Sequence, residues 1–423
     1  MRAPLRSLVI LGLAGALALT GCSHERPGQP PKHLILITVA GLRADHLSSF
    51  AYPRSTTAKL PGARPEQALA IDQLGEAGVR FANAFADGDA GWREGNVLQG
   101  ACAEENGDGH SLQRPMRVFR TQWNDPAAAA LDQRFLETFG SDVSTHATDG
   151  ATLAAAIQWT SVQDWSQSEG RVLWVHLNGP TLPWDPGSME LPTTKDTVDF
   201  GTLFTEPTYT GAAEGTLAFR DARADLSPAD AQHLVDLYDG EIAKLNVLVF
   251  ALLDTYRYFT READAWPETA VVFAGVSGMT LPGDGVPWGH EIAPVDGALH
   301  VPLFLHHPAS LTGRRIFETP VAVTDVMTTI LAWLRAPHPT FGSGRSLLNH
   351  VDGQPAGAFP ERPTVTRFAD GTVSVRDERW RWTQGPDGTG RLIDAGRDPR
   401  GEGDLQAQHP DVTQRLRAAA QDL

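Results

Sequence analysis

Residues 33–46 read HLILITVAGLRADH, a run of Leu, Ile and Val that passes through Ala40-Gly41 into a polar turn. An uninterrupted stretch of branched apolar residues suits a strand buried on both faces, as in a parallel sheet. Two further runs, 172–177 and 270–274, have the same character and are flanked by turn residues. Helical stretches separate the three, so the spacing predicts βαβ crossovers and a doubly wound, mostly parallel α/β sheet flanked by helices. The clearest helix starts at Ser227-Pro228, a hydroxyl cap with proline at the first helical position. Leu234, Tyr238, Ile242, Leu245, Val249 and Leu252 then form one apolar stripe at three- and four-residue steps. A second helix is expected over 325–334.

From about residue 356 the pattern shortens to alternating strands, 364–368, 372–376 and 379–383, with the hairpin signal Asp370-Gly371 between the first two. With a closing helix over 411–423 they form an expected small C-terminal α+β subdomain. Residues 187–226 are rich in Gly, Thr and Asp without period and read as a long surface insertion.

The N-terminus reads as a processing signal. Arg2 and Arg6 precede an apolar stretch over 8–19, and Leu19-Thr20-Gly21-Cys22 resembles a bacterial lipoprotein cleavage site. The apolar run is shorter than the ~20 residues a membrane-spanning helix needs. On this reading Cys22 carries the lipid and the membrane is a partner; Ser23 after it leans towards the outer membrane by family analogy. The expected organisation is signal peptide 1–22, polar tether 23–31, main domain 32–355 and subdomain 356–423. Only Cys102 then remains, which excludes an intramolecular disulfide and a cysteine-built zinc or iron-sulfur site. Lys and Arg total 35 against 51 Asp and Glu, a net charge of −16, and 41% of residues are hydrophobic. The core is ample, and a basic groove for nucleic acid has little to build from.

Six stretches in order carry a resemblance to the sulfatase branch of the alkaline-phosphatase-like superfamily. They are HLILITVAGLRADH, YPRSTT (52–57), IDQLGEAGVRFANAFA (71–86), LYDGEIAKL (237–245), VPLFLHHPA (301–309) and SVRDERWRW (374–382). The resemblance implies a divalent cation, usually calcium, held at the strand ends, because sulfate esters resist hydrolysis until cationic groups neutralise their oxygens and an activated nucleophile is aligned. In the family, carboxylates follow the first strand; here Ala40 and Gly41 stand there. The family's Ser-Asp-His-Gly reads Gly275-Val276-Ser277-Gly278. Its Cys/Ser-x-Pro-Ser-Arg nucleophile motif aligns with Ala90-Gly91-Trp92-Arg93-Glu94, so Ala90 replaces the nucleophile and Glu94 the arginine. The family's Asp-Pro-His reads Gly179-Pro180-Thr181, which puts Thr181 where the leaving-group histidine would be. His290, in Trp288-Gly289-His290, is the retained position.

The expectation is therefore a sulfatase-like lipoprotein without catalytic residues or cofactor, a pseudoenzyme that binds a ligand or protein partner in the bacterial cell envelope. Two alternatives stand beside it. One is an active sulfuric or phosphoric ester hydrolase with a metal site rebuilt from Asp45, Asp87, Asp89 or Asp284. The other is an envelope glycan-binding module that uses Trp92, Trp184 and Trp288, with His290, around the emptied cleft.

Overall fold

The computed structural model describes residues 30–58, 69–89, 115–122, 142–167, 169–192, 194–222, 225–289, 293–311, 313–336, 344–348, 362–398, 401 and 403–421. In chain order the strands are β1 His33–Val39, β2 Val79–Phe85, β3 Gly88–Asp89, β4 Met116–Thr121, β5 Asp142–His146, β6 Val172–Leu177, β7 Ser188–Glu190 and β8 Thr197–Asp199. They continue as β9 Thr269–Gly275, β10 His300–His306, β11 Arg315–Phe317, β12 Val321–Ala322, β13 Thr364–Arg367, β14 Val373–Arg376, β15 Trp380–Gln384 and β16 Gly390–Asp394. The helices are α1 Ile71–Ala77, α2 Asp149–Ser161, α3 Leu217–Ala222, α4 Pro228–Thr260, α5 Asp296–Leu299, α6 Asp325–Trp333 and α7 Pro410–Ala419.

The central sheet runs β11-β2-β10-β9-β1-β6-β4-β5, with β12 also on β2. Strands β9, β1, β6, β4 and β5 are parallel, whereas β10 pairs antiparallel with both β9 and β2. The doubly wound expectation thus holds on one side of the sheet, and an antiparallel strand interrupts it on the other. β1 lies in the middle, and its alternation assigns the faces. Leu34 and Leu36 pack with α6 residues Val326, Met327 and Ile330. Ile35, Ile37 and Val39 pack with Leu234, Tyr238 and Ile242 of α4. The Ser227 hydroxyl caps α4 by accepting from Asp230 N–H at 3.1 Å.

A separate sheet, β16-β15-β14-β13-β3, carries the C-terminal hairpins and draws Gly88–Asp89 alongside β13. The 187–226 insertion is a β7–β8 hairpin followed by α3. It is anchored rather than loose: Leu191 and Phe200 bury against Ala243 and Val247 of α4. No described helix is long and apolar enough to cross a membrane.

Candidate functional site

Ligands of open α/β sheets bind beyond the carboxyl ends of the strands, and here that means the loops after β1, β6 and β9. Ladder pairing continues into these loops: Ala40 N–H donates to Leu177 O at 3.0 Å and Val276 N–H to Val39 O at 2.8 Å. Ala40 is fully buried in the core facing α6. Gly41 has φ +71°, a left-handed conformation that disfavours any side chain. Its N–H donates to Ser277 Oγ at 3.1 Å, and its carbonyl accepts from the Tyr238 hydroxyl at 2.7 Å. A Cβ at Gly41 would meet Thr181 Cγ2 at 2.9 Å and Thr181 N at 3.1 Å. Thr181 therefore fills the space a side chain at 41 would need, and the Ser277 hydroxyl is buried and already bonded. Val276 is buried in the same core as Ala40.

Arg43 closes the next layer. Its Nε and Nη2 donate to the two oxygens of Asp45, both at 2.8 Å, and Nη1 donates to Asp284 Oδ2 at 2.6 Å and Met279 O at 3.2 Å. Burial opposes the charge on Arg43, but Asp45 and Asp284 outweigh it and hold the guanidinium above its ordinary value. Desolvation by the groups packed around it opposes the charge on the half-exposed Asp45 side chain, and Arg43 overrides it, keeping that carboxyl below the usual range. Behind this layer Asp239 of α4 accepts from Tyr52 at 2.7 Å and Arg54 at 2.9 Å and lies 2.7 Å from His46 Nδ1, clamping the polar turn to the helix.

Among the described side chains, the carboxylates of the rebuilt-site alternative, Asp45, Asp87 and Asp284, do not converge on one point. Asp45 and Asp284 are both held by Arg43. Asp87 is buried at the end of β2 and accepts from Thr324 N–H at 3.2 Å and Thr324 Oγ1 at 2.8 Å. Burial, followed by the neighbouring Asp325, pushes Asp87 up to about 7. Asp89 enters the description through its backbone alone, in β3. Among the described residues no group of three or more His, Cys, Asp or Glu is placed to hold a metal ion. A hard divalent cation wants about six oxygens, several of them charged, so the described donors do not fit one.

Trp184 and Trp288 are both buried, with ring centroids 5.4 Å apart, and Trp184 also stands edge-on to Tyr238 at 5.6 Å. Trp184 Nε1 donates to Pro180 O at 2.9 Å. These rings cover one another and the strand ends, and present no open stacking face. Cys22, Ala90, Trp92, Glu94, Cys102 and His290 lie outside the described residues.

A cavity of about 600 Å³ opens on the other side of the Gly179–Pro183 loop, at the ends of β4 and β6. Thr121, Asn178, Leu182, Met189, Glu241 and Lys244 are among its lining residues, and Thr181 borders it too. Asp149, at the start of α2, fixes the floor: it accepts from Thr121 Oγ1 at 2.6 Å, Asn178 N–H at 2.9 Å and Gly179 N–H at 2.8 Å. Glu241 Oε1 accepts from Asp185 N–H at 3.1 Å. Burial, with a further push from Asp149 and opposed by Lys244, raises its carboxyl to about 7. Asn178 Oδ1 is buried with no hydrogen-bond partner among the described residues. Neither composition nor a motif of catalytic residues marks this set in the sequence. Glu241 and Lys244 sit inside the LYDGEIAKL stretch, and the helical period that places them one turn apart was the available signal.

No protein-family model matches the chain, and no curated protein matches it. Solved structures do. A phosphonate monoester hydrolase of Agrobacterium radiobacter is 16% identical with a TM-score of 0.60, covering 93% of this chain and 96% of that one. A 2-O GAG sulfatase is 15% identical with a TM-score of 0.63, covering 93% and 92%. A phosphonate monoester hydrolase from Silicibacter pomeroyi is 17% identical with a TM-score of 0.57, covering 91% and 94%. The likeness is one of fold: the mixed α/β architecture with a mostly parallel central sheet and a separate C-terminal antiparallel sheet is that of sulfatases and phosphonate monoester hydrolases.

Proposed function

We propose that this sulfatase-fold chain is a lipid-anchored protein of the bacterial cell envelope that binds a ligand or partner and hydrolyses no sulfate or phosphate ester. The observation that carries the reading is the packing at Gly41. The first strand ends without a side-chain oxygen, Thr181 fills the room in front of it, and Ser277 is bonded to the Gly41 N–H. Ester hydrolysis on this fold needs positive charge focused on the ester oxygens and an in-line nucleophile. Among the described residues, the buried cation at this point, Arg43, faces two aspartates of its own chain. In the sequence, no Cys, Ser or Thr lies anywhere from Asp87 to Gly100, where the nucleophile would fall.

Binding on this reading belongs to the cavity at the ends of β4 and β6, with apolar walls from Leu182, Met189 and Leu248 and polar groups from Asn178, Glu241 and Lys244. Anchoring rests on the Leu19-Thr20-Gly21-Cys22 pattern. The test is an assay of the purified chain on aryl sulfate, aryl phosphate and phosphonate monoester, with calcium or manganese and with chelator. Rates equal to a heat-denatured control are expected in every condition. Saturable turnover abolished by chelator would overturn the proposal.

A further inference from the structure

The chain enters the fold at the end of the sheet opposite the strand-end loops. Lys32 and His33 N–H groups both donate to Glu268 O, at 2.9 and 3.1 Å, where β1 and β9 begin. Two helices finish at this same end. α4 runs from Tyr238, bonded to Gly41, down to Tyr256, whose hydroxyl lies 3.2 Å from Thr269 Oγ1 at the start of β9. α2 runs from Asp149, bonded to Gly179, towards Trp165, whose ring stands edge-on to His33 at 5.3 Å and to Tyr256 at 5.0 Å.

The last turns of these helices expose apolar side chains. Val162 is 74% exposed, Tyr258 57% and Phe259 37%. The Tyr258 and Phe259 rings are 5.3 Å apart, and the Arg261 guanidinium lies 3.9 Å over the Tyr258 ring. Asp164, Glu169, Glu262, Asp264 and Glu268 slightly outnumber Lys32, Arg171, Arg257 and Arg261 here, so the surface is mixed in charge, with a small acidic excess, and has an apolar tip. Aromatic residues flanked by arginine are the composition that settles at the headgroup level of a bilayer.

We propose that this end of the domain lies against the membrane, with Val162, Tyr258 and Phe259 in the headgroup region, and that the strand-end loops and the β4/β6 cavity face away from it. The inference rests on the lipoprotein reading. From Cys22 to Pro30 there are 30 − 22 = 8 residue steps. At ~3.5 Å per step they reach about 28 Å at full extension, whatever their conformation. The tethered end of β1 is thus held within reach of the headgroups, and the far end of the strand stands about 23 Å further out. With no excess of bases, the contact is apolar insertion and not attraction to anionic lipid, so it is expected to survive rising salt.

The test uses the full-length chain reconstituted in phosphatidylethanolamine–phosphatidylglycerol vesicles. Single nitroxide labels are placed through Val162→Cys or Tyr258→Cys, and through Leu203→Cys or Leu217→Cys on the opposite end, in a Cys102→Ser background. All four native side chains are exposed, so folding is not at stake. Reconstitution is expected to lower the accessibility of the first two labels to a water-soluble relaxant several-fold and to leave the other two unchanged. Four labels that stay equally accessible would overturn the inference. Protection of the first two without vesicles would overturn it as well, by assigning the surface to a second copy of the chain. The mass of the N-terminal peptide separates the causes. A Cys22 without lipid removes the lipoprotein reading and this inference together, whereas a lipidated Cys22 with water-exposed labels removes this inference alone.

Discussion

One loop, Gly179–Pro183, divides the strand-end face into two unlike halves. On the β1/β9 side it is sealed: Thr181 presses on Gly41, Ser277 bonds to it, and Arg43 draws in Asp45 and Asp284. On the β4/β6 side the loop borders a cavity with an ionisable carboxyl and an ammonium on its wall. A loop side chain that closes the space at one strand end can thus border an opening at its neighbour. Substitutions on the sealed side should report packing and strain, and substitutions on the open side should report charge.

The largest effect is expected from Ala40→Asp. It places an unpaired carboxylate in a fully buried position, a mechanism that costs about 4 kcal/mol or more. Urea unfolding with and without calcium checks it, and calcium should restore nothing if no second ligand is at hand. Gly41→Ala should come next, at about 2 kcal/mol, from a strained left-handed backbone and the clash with Thr181. Combining it with Thr181→Ala should recover the steric part, a coupling of about 1 kcal/mol that a double-mutant cycle would read. If the two substitutions simply add, the seal is not the contact between these residues.

On the open side, Glu241→Gln should alter the pH dependence of stability more than stability itself. The native carboxyl titrates near 7, above its ordinary value of 4.5. Between those values the folded chain holds more protons than the unfolded chain, so this group's contribution to stability falls as pH rises through that window. Glu241→Gln should therefore match the parent near pH 4.5 and exceed it at pH 8. The difference should grow by no more than about 1.4 kcal/mol per pH unit. Asp87→Asn should show the same sign for the same reason. His306 and His307 are held by burial at about 4, and act oppositely, since their unfolded forms take up protons as pH drops below the ordinary histidine value. Parent-minus-variant differences cancel that background. The smallest effect belongs to Asp45→Asn: its side chain is 54% exposed, and a screened ion pair of this kind contributes about 0–1 kcal/mol.

What was legible in the sequence was what local pattern dictates. The strands at 34–39, 172–177 and 270–274 were readable because both their faces are buried, and α4 because a cap and a long stripe mark it. β4, MRVFRT, does not announce itself as a buried strand. It carries two arginines, and Arg120 is nevertheless buried. The antiparallel turn of β10 was also hidden, since direction is set by connections and not by composition. At the site, that Ala40 and Gly41 carry no side-chain oxygen could be read directly. What surrounds them could not, because Thr181 and Asp284 reach the first loop from positions 140 and 241 residues away in the chain. The tryptophans show the same limit: their loops were placed, but whether Trp184 and Trp288 stack on a ligand or on each other is decided by packing.

The most direct test of the central claim is equilibrium dialysis of the purified chain against radioactive calcium, with Gly41→Ala as a second sample. Calcium bound at background level by both is the predicted result. One calcium per chain, bound saturably by the parent and lost in the variant, would contradict the account.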